Sequence, residues 1–316
     1  MARAILRTLA ASGLLAAALL PMASGAAWAV CKGNAEAYRG EVYQKDEFFI
    51  HYSLQGENAL EHREDLNANG TPDVVEDVMT QLVTMRDMLL HLGFRHPLQQ
   101  PRYKGVQQIR LRMLAIEKKG LAFDSARSYP GGDCSLFITL GSHLKSGNLT
   151  PAHELFHLFQ YGYTMFKRPW FLEGMARWSE SVLGAKPVAP APIPRDSSAR
   201  KAFFNRGYSA SEVWYALAYG ADPIGRLTVP DSIASMRYVS GRKALEDTRL
   251  PGAPFILAVL EALGDADRKV GRENGMPRYA WPESFQRDPQ HDEPMWAAIE
   301  GVYRNFRPNG TASIFR

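Results

Sequence analysis

Cysteine is scarce in this chain, and so are long apolar runs, charge of one sign and internal repeats. Only two cysteines occur, Cys31 and Cys134, which excludes a dense disulfide framework and leaves at most one bond, the expected one tying the residues near 31 to the body of the chain. Lysine and arginine number 37 against 33 acidic residues, too small an excess for a nucleic-acid footprint. The longest apolar stretch, Leu9 to Leu20, falls short of the ~20 residues a spanning helix needs, and Pro21 interrupts it. No stable membrane anchor is therefore expected, and no repeat marks a solenoid or propeller.

What remains is ordinary globular material, 46% hydrophobic and 22% charged, enough for one large domain or a domain with a smaller second lobe. Its first residues stand apart. Arg3 and Arg7 precede the apolar run, and small residues lead to Ala27-Trp28-Ala29, the pattern of a signal peptide over 1–29 cut after Ala29. Trp28-Ala29-Val30 before Cys31 disfavours lipid attachment, so a soluble secreted or periplasmic protein, acting as a monomer, is expected.

Aromatic and β-branched content predicts a strand at 47–54, and alternation predicts another at 106–116. A third is expected at Cys134 to Leu140, after the turn Pro130-Gly131-Gly132-Asp133. Apolar residues from Val75 to Leu90 recur at spacings of three and four, which predicts a helix ending near Gly93. Further helices are expected from Thr150, where a capping hydroxyl precedes Pro151, at 170–183, and at 209–219, 252–263 and 293–305. Prolines 187, 190, 192 and 194 make 186–195 an extended loop, either a lid or a connector. The expected fold class is α+β, with a small mixed sheet and a motif helix at 30–185 and a mostly helical lobe at 186–316 completing one unit.

The stretch His153-Glu154-Leu155-Phe156-His157 places two imidazoles one helical turn apart on one face, where they can converge on zinc. Glu154 is rotated to the side, where a carboxylate can take a proton from a zinc-activated water without being a ligand. The plain alternative is a satisfied core helix, since Leu155, Leu158 and Phe159 make the other faces apolar too. Three ionisable groups on a buried helix nonetheless need partners. A third ligand in the same run would extend the motif to a glycine and a histidine, but Gln160 and Tyr163 stand there. The next helix offers Glu173, with Glu180 on nearly the same face as a rival or as a partner orienting a histidine. Gly174 and Ala176 would let this helix approach the motif helix, and Trp170 and Trp178 would pack around the site.

Together, H-E-L-F-H-L-F-Q and W-F-L-E-G-M-A-R-W-S-E resemble the gluzincin zinc metallopeptidases, and are similar in particular to secreted bacterial metalloproteases of a Myxococcus type that share an upstream D-x-N-x-N-G-x-P-D loop. The resemblance spans residues 45 to 220. It implies a zincin-like core, His153, His157 and Glu173 as zinc ligands, Glu154 as general base, and hydrolysis of a peptide or protein substrate. It also implies a strand beside the metal helix, Cys134 to Leu140, that pairs with the substrate. Thermolysin-like members carry an aspartate four residues after the glutamate ligand; Arg177 stands there. Tyr161, Tyr208 and Tyr215 are candidates to stabilise the transition state.

A second metal signal is the twelve-position calcium loop, with Asp65, Asn67, Asn69, Thr71 through its carbonyl, Asp73 and Glu76 at the ligand positions and Gly70 at the sharp turn. The same residues also fit a polar turn in which Asp73 caps the next helix and Glu76 completes a capping box. A structural Ca2+ is expected here. Two other classes remain open: a non-catalytic calcium-stabilised binding protein on a zincin scaffold, and a zinc hydrolase of a non-peptide amide.

Overall fold

The computed structural model describes residues 31–186, 188–225 and 228–306. The signal peptide expected at 1–29 lies outside the described residues, as does the end of the C-terminal lobe.

Three rows of apolar side chains organise the sheet. Phe48, Ile109 and Leu136 stand opposite one another, then Ile50, Leu111 and Ile138, then Met113 and Leu140, on strands β2 (Phe48–Tyr52), β3 (Gln108–Leu114) and β5 (Cys134–Gly141). All are fully buried beneath the helices, and each such side chain stabilises the fold by about 1.5–3 kcal/mol. Strand β1 (Glu41–Lys45) runs antiparallel to β2, and β4 (Gly120–Ser128) antiparallel to β5, giving the order β1-β2-β3-β5-β4 in a five-stranded mixed sheet.

The expected strands at 47–54, 106–116 and 134–140 are present; β1 and β4 were not expected. Strand β4, GLAFDSARS, has no β-branched residue, and its register shifts between Phe123 and Arg127. Ion pairs help to hold it: buried Arg102 and Lys167 both engage Asp124, Lys167 at 3.0 Å. This corrects the expectation for the substrate strand. Cys134 to Leu140 is interior, its backbone paired with β3 on one side and β4 on the other, so the outer edge belongs to β4, where residues 32–35 bond Ala126 and Ser128 and the end at Gly120 is the free part.

Helices α1 (Asp73–His91), α2 (Thr150–Tyr163) and α3 (Pro169–Ser179) follow the predicted spacing, and a 3-10 turn continues α3 over Glu180–Leu183. Beyond them lie α4 (Ser197–Phe204), α5 (Ser211–Ala221), α6 (Asp231–Ala234), α7 (Ala253–Glu273), α8 (Glu283–Gln286) and α9 (Asp292–Phe306). Helix α2 is packed by β4, β5, α1, α3 and α7, and one apolar cluster runs from Phe48 to Tyr303. The described C-terminal helices thus share a core with the sheet.

Several local expectations are corrected. Thr150 is the first residue of α2 and does not cap it; Leu149 holds the cap position, and Gln81 Oε1 instead accepts from Ala152 N at 3.0 Å. Pro72, not Asp73, precedes α1, and no capping box forms. Gly174 faces α5: a Cβ there would lie 2.6 Å from Trp214 and 2.8 Å from Ala210, so it lets α5 approach, not α2. Trp170 stacks on Trp214 at 6.2 Å, and Trp178 packs on Phe156 behind α2; neither lines the site. Within the proline-rich segment, Ala191 N donates to Glu212 O at 3.1 Å, which ties it to α5. No described helix is long and apolar enough to cross a membrane.

Cys31 and Cys134 form a disulfide, Cα to Cα 5.7 Å, closing a separation of 103 residues. Such a cross-link restricts the unfolded chain. Replacing both cysteines by alanine is expected to lower unfolding free energy by about 2–4 kcal/mol in urea titrations, and an unchanged midpoint would contradict the bond's contribution.

Candidate metal site

Helix α2 buries nearly all of its surface, so the polar groups of His153, Glu154 and His157 must find partners in the protein. The partners come from α3 and the 3-10 turn that continues it, from β4, and from Gln160 on α2 itself. His153 Nε2 lies 3.1 Å and His157 Nε2 3.6 Å from Glu173 Oε2. Ligand atoms of the three residues lie within 4.8 Å of one another, and no other such group of His, Cys, Asp and Glu occurs among the described residues. Two nitrogens and an oxygen around a tetrahedral zinc would be separated by about 3.3 Å, given bonds of ~2.0–2.1 Å. Donor type and spacing both fit that ion.

The opposite ring nitrogens are each held by a side chain. His157 Nδ1 meets Gln160 Oε1 at 2.8 Å, and Gln160 Nε2 donates to Leu172 O at 3.2 Å. With the amide so oriented, Gln160 Oε1 accepts from His157 Nδ1–H, and Nε2 is the ring nitrogen turned toward Glu173. His153 Nδ1 meets Glu180 Oε1 at 2.7 Å, and Arg177 Nη1 donates to Glu180 Oε2 at 3.1 Å. Of the two glutamates offered by sequence, Glu173 therefore joins the histidines, while Glu180 stands behind His153 with Arg177 on its far side. Gln160 was missed as a positioning group; its place three residues beyond His157 on the same helix was the available signal.

Glu154 is 6% exposed and is fixed from outside its helix, accepting the Ala122 N–H of β4. A Cβ at Gly120 would lie 2.7 Å from Glu154 Oε1 and 2.5 Å from Thr150 Cγ2, so only glycine lets β4 come this near. Gly120 and Ala122 were legible only once β4 was placed.

The tyrosines divide clearly. Tyr208, 61% exposed in the 3-10 turn before α5, lies 5.7 Å ring to ring from His153 and hydrogen-bonds the Glu173 side chain. Tyr161 is buried and stacked on His157 at 6.0 Å. Tyr215 points away, its hydroxyl donating to Arg177 O at 3.2 Å. Tyr208 and Tyr161 share with the His–Glu group a cleft of ≈ 1300 Å³ bordered by β4, α2, α3 and the start of the proline-rich segment.

Electrostatics follow from burial and pairing. Burial alone would lower His153, but its hydrogen bonds to Glu173 and Glu180, with the charges of Glu180 and Glu154, raise it to about 9. Glu173 would be raised by burial, yet the two histidines hold it well below the usual carboxylate range. Glu154 is pushed up by burial, with His157 and His153 acting against the shift. Burial and Glu173 carry Tyr208 up to about 12.

The second predicted metal loop also gathers its residues. Asp65 accepts from Asn69 N and Gly70 N, Asn69 Oδ1 from Thr71 N, and Asp73 Oδ1 from Leu66 N. Glu76 takes both side-chain amides, from Asn67 at 3.0 Å and Asn69 at 2.8 Å. Gly70 turns the loop with φ 88°. Asp65, Asp73 and Glu76 face loop amides and do not converge on one another as the His–Glu group does.

Compared with protein-family models, curated proteins and solved structures, the chain matches none.

Two outcomes follow. His153 must lose a proton before Nε2 can ligate, so zinc affinity should fall by about tenfold per pH unit on acidification below about 9; chelator competition between pH 6 and 9 reads this, and a flat profile would refute it. Gln160→Leu should weaken zinc by about 10–100-fold in the same titration.

Proposed function

We propose that this protein is an exported zinc peptidase of the gluzincin type, with a zincin-like core formed by the sheet, α2 and α3. One observation carries the reading: His153, His157 and Glu173 converge in a cleft whose next carboxylate, Glu154, is fixed separately by β4. The N-terminal pattern at 1–29 and the Cys31–Cys134 bond support export.

Zinc held by the three residues would supply Lewis acidity toward a carbonyl and a water of lowered pKa. The chain's own groups provide the rest. Glu154, raised by burial, is suited to take a proton from the attacking water and return it to the leaving nitrogen. Tyr208, exposed beside His153, is placed to donate to the carbonyl oxygen as negative charge develops.

Substrate would lie along β4. Gly141 N donates to Lys119 O, so Lys119 is a hydrogen-bonded partner of β5. By the alternation of an antiparallel ladder, the backbone groups of Gly120 and Ala122 then point to the free edge. An extended peptide could pair with Gly120 and with the Ala122 carbonyl, the Ala122 N–H being taken by Glu154. The loop at 65–76 is assigned a stabilising Ca2+, supported by its ligand order and by the convergence of Asn67, Asn69 and Glu76.

Glu154→Gln is expected to retain stoichiometric zinc while losing about 10²–10⁴-fold in peptide hydrolysis; equal turnover would remove Glu154 as the base, and absence of zinc in both proteins would remove the metal assignment. Tyr208→Phe should lower kcat by about 10²-fold with KM little changed. For calcium, a chelator should lower the thermal midpoint and added Ca2+ alone restore it, an effect that Asp65→Ala abolishes.

A further inference from the structure

The cleft carries a charge imbalance that the chemistry above does not use. Its acidic side chains are already engaged: Glu173 and Glu180 with the histidines, Glu154 with the Ala122 amide, and Glu212 with Arg206 at 3.2 Å. Two of its cations are paired as well, Arg177 with Glu180 and Arg287 with Glu283. Lys118, Lys119 and Lys186 differ. All three are exposed and line the cleft, and among the described residues none has an ion pair or side-chain hydrogen bond. Glu117, the neighbouring carboxylate in sequence, is not part of the lining.

Position makes these lysines more than a solvated surface. Lys118 and Lys119 immediately precede Gly120, whose backbone faces the free edge, and the Lys119 carbonyl is fixed by Gly141 N. An extended chain advances about 3.3 Å per residue, so a peptide paired at Gly120 carries its next one or two side chains past these ammonium groups. Lys186 enters the same cleft from the segment after α3. A concave surface with unpaired charge of one sign concentrates ligands of the other.

We propose that the cleft selects anionic substrates, namely peptides with aspartate or glutamate within a few residues of the bond that is cut, recognised by Lys118 and Lys119 with Lys186 contributing. The inference rests on the peptidase reading for the location of the bond, but the anionic preference is separately measurable as binding.

The test uses the zinc-loaded full mature chain on a peptide library and then on matched peptides carrying Glu, Gln or Lys at one position. Acidic residues should be enriched at a fixed offset from the cut, and the Glu peptide should exceed the Lys peptide by about three- to tenfold in kcat/KM, less at high salt. Zinc-loaded Glu154→Gln should bind the Glu peptide more tightly by a similar factor in fluorescence anisotropy. Lys118→Gln/Lys119→Gln should erase the preference and Lys118→Glu/Lys119→Glu reverse it, with zinc content and melting temperature confirming an intact fold. Cleavage without acidic preference, or a preference that both double variants retain, overturns the proposal while leaving the peptidase reading in place. Preferential binding of the Glu peptide without cleavage of any peptide by the wild type overturns the peptidase reading and sustains anionic recognition. Neither binding nor cleavage of any peptide overturns both.

Discussion

Burial of α2 is the constraint on which the rest depends. A helix closed in by strands and helices leaves His153, Glu154 and His157 little contact with solvent, confined to the cleft, so each needs another polar group. Leaving such groups unpaired would cost several kcal/mol on a scale where whole domains are stable by only ~5–15. Glu173, Glu180 and Gln160 answer the histidines, and the Ala122 amide answers Glu154. Packing and site geometry are therefore one problem: the contacts that bring α3 and β4 against α2 also aim its polar atoms.

That arrangement explains why an edge strand with little apolar alternation is held so firmly. The Arg102–Asp124–Lys167 cluster joins β4 to the segments before β3 and after α2, behind the cleft, while Gly120 allows the strand to approach Glu154 closely. Buried ion pairs are weak contributors to net stability because desolvation opposes them, but removing one partner is costly, so they specify position strongly. Here they position the free edge along which an extended peptide would lie.

The sequence was most legible where periodicity and turn residues agree with packing. Helix α1, with apolar residues from Val75 to Leu89, and strands β2, β3 and β5 lie where their patterns put them, because each buries one stripe or both faces in the core. It was least legible at β4, whose half-buried Gly120, Ala122 and Asp124 carry no strong local preference and whose conformation is set by β5 and buried charges. Helix starts failed similarly. Thr150 and Asp73 are good capping residues in isolation, but Gln81 from α1 reaches the first turn of α2, and the loop at 65–76 uses Asp73 for the Leu66 amide. Long-range partners outcompeted local ones.

Spacing alone determined that two histidines share a face of α2, that Glu154 lies beside them, and that Glu173 and Glu180 stand about two turns apart on the next helix, because helical geometry is a local property. It favoured Glu173 over Glu180 only with the help of the resemblance, and it could not sort three tyrosines or reveal Gln160 and Gly120 as positioning residues. Those choices depend on how α3, β4 and the turn before α5 meet α2, and distances between elements remote in sequence exist only after the core has closed.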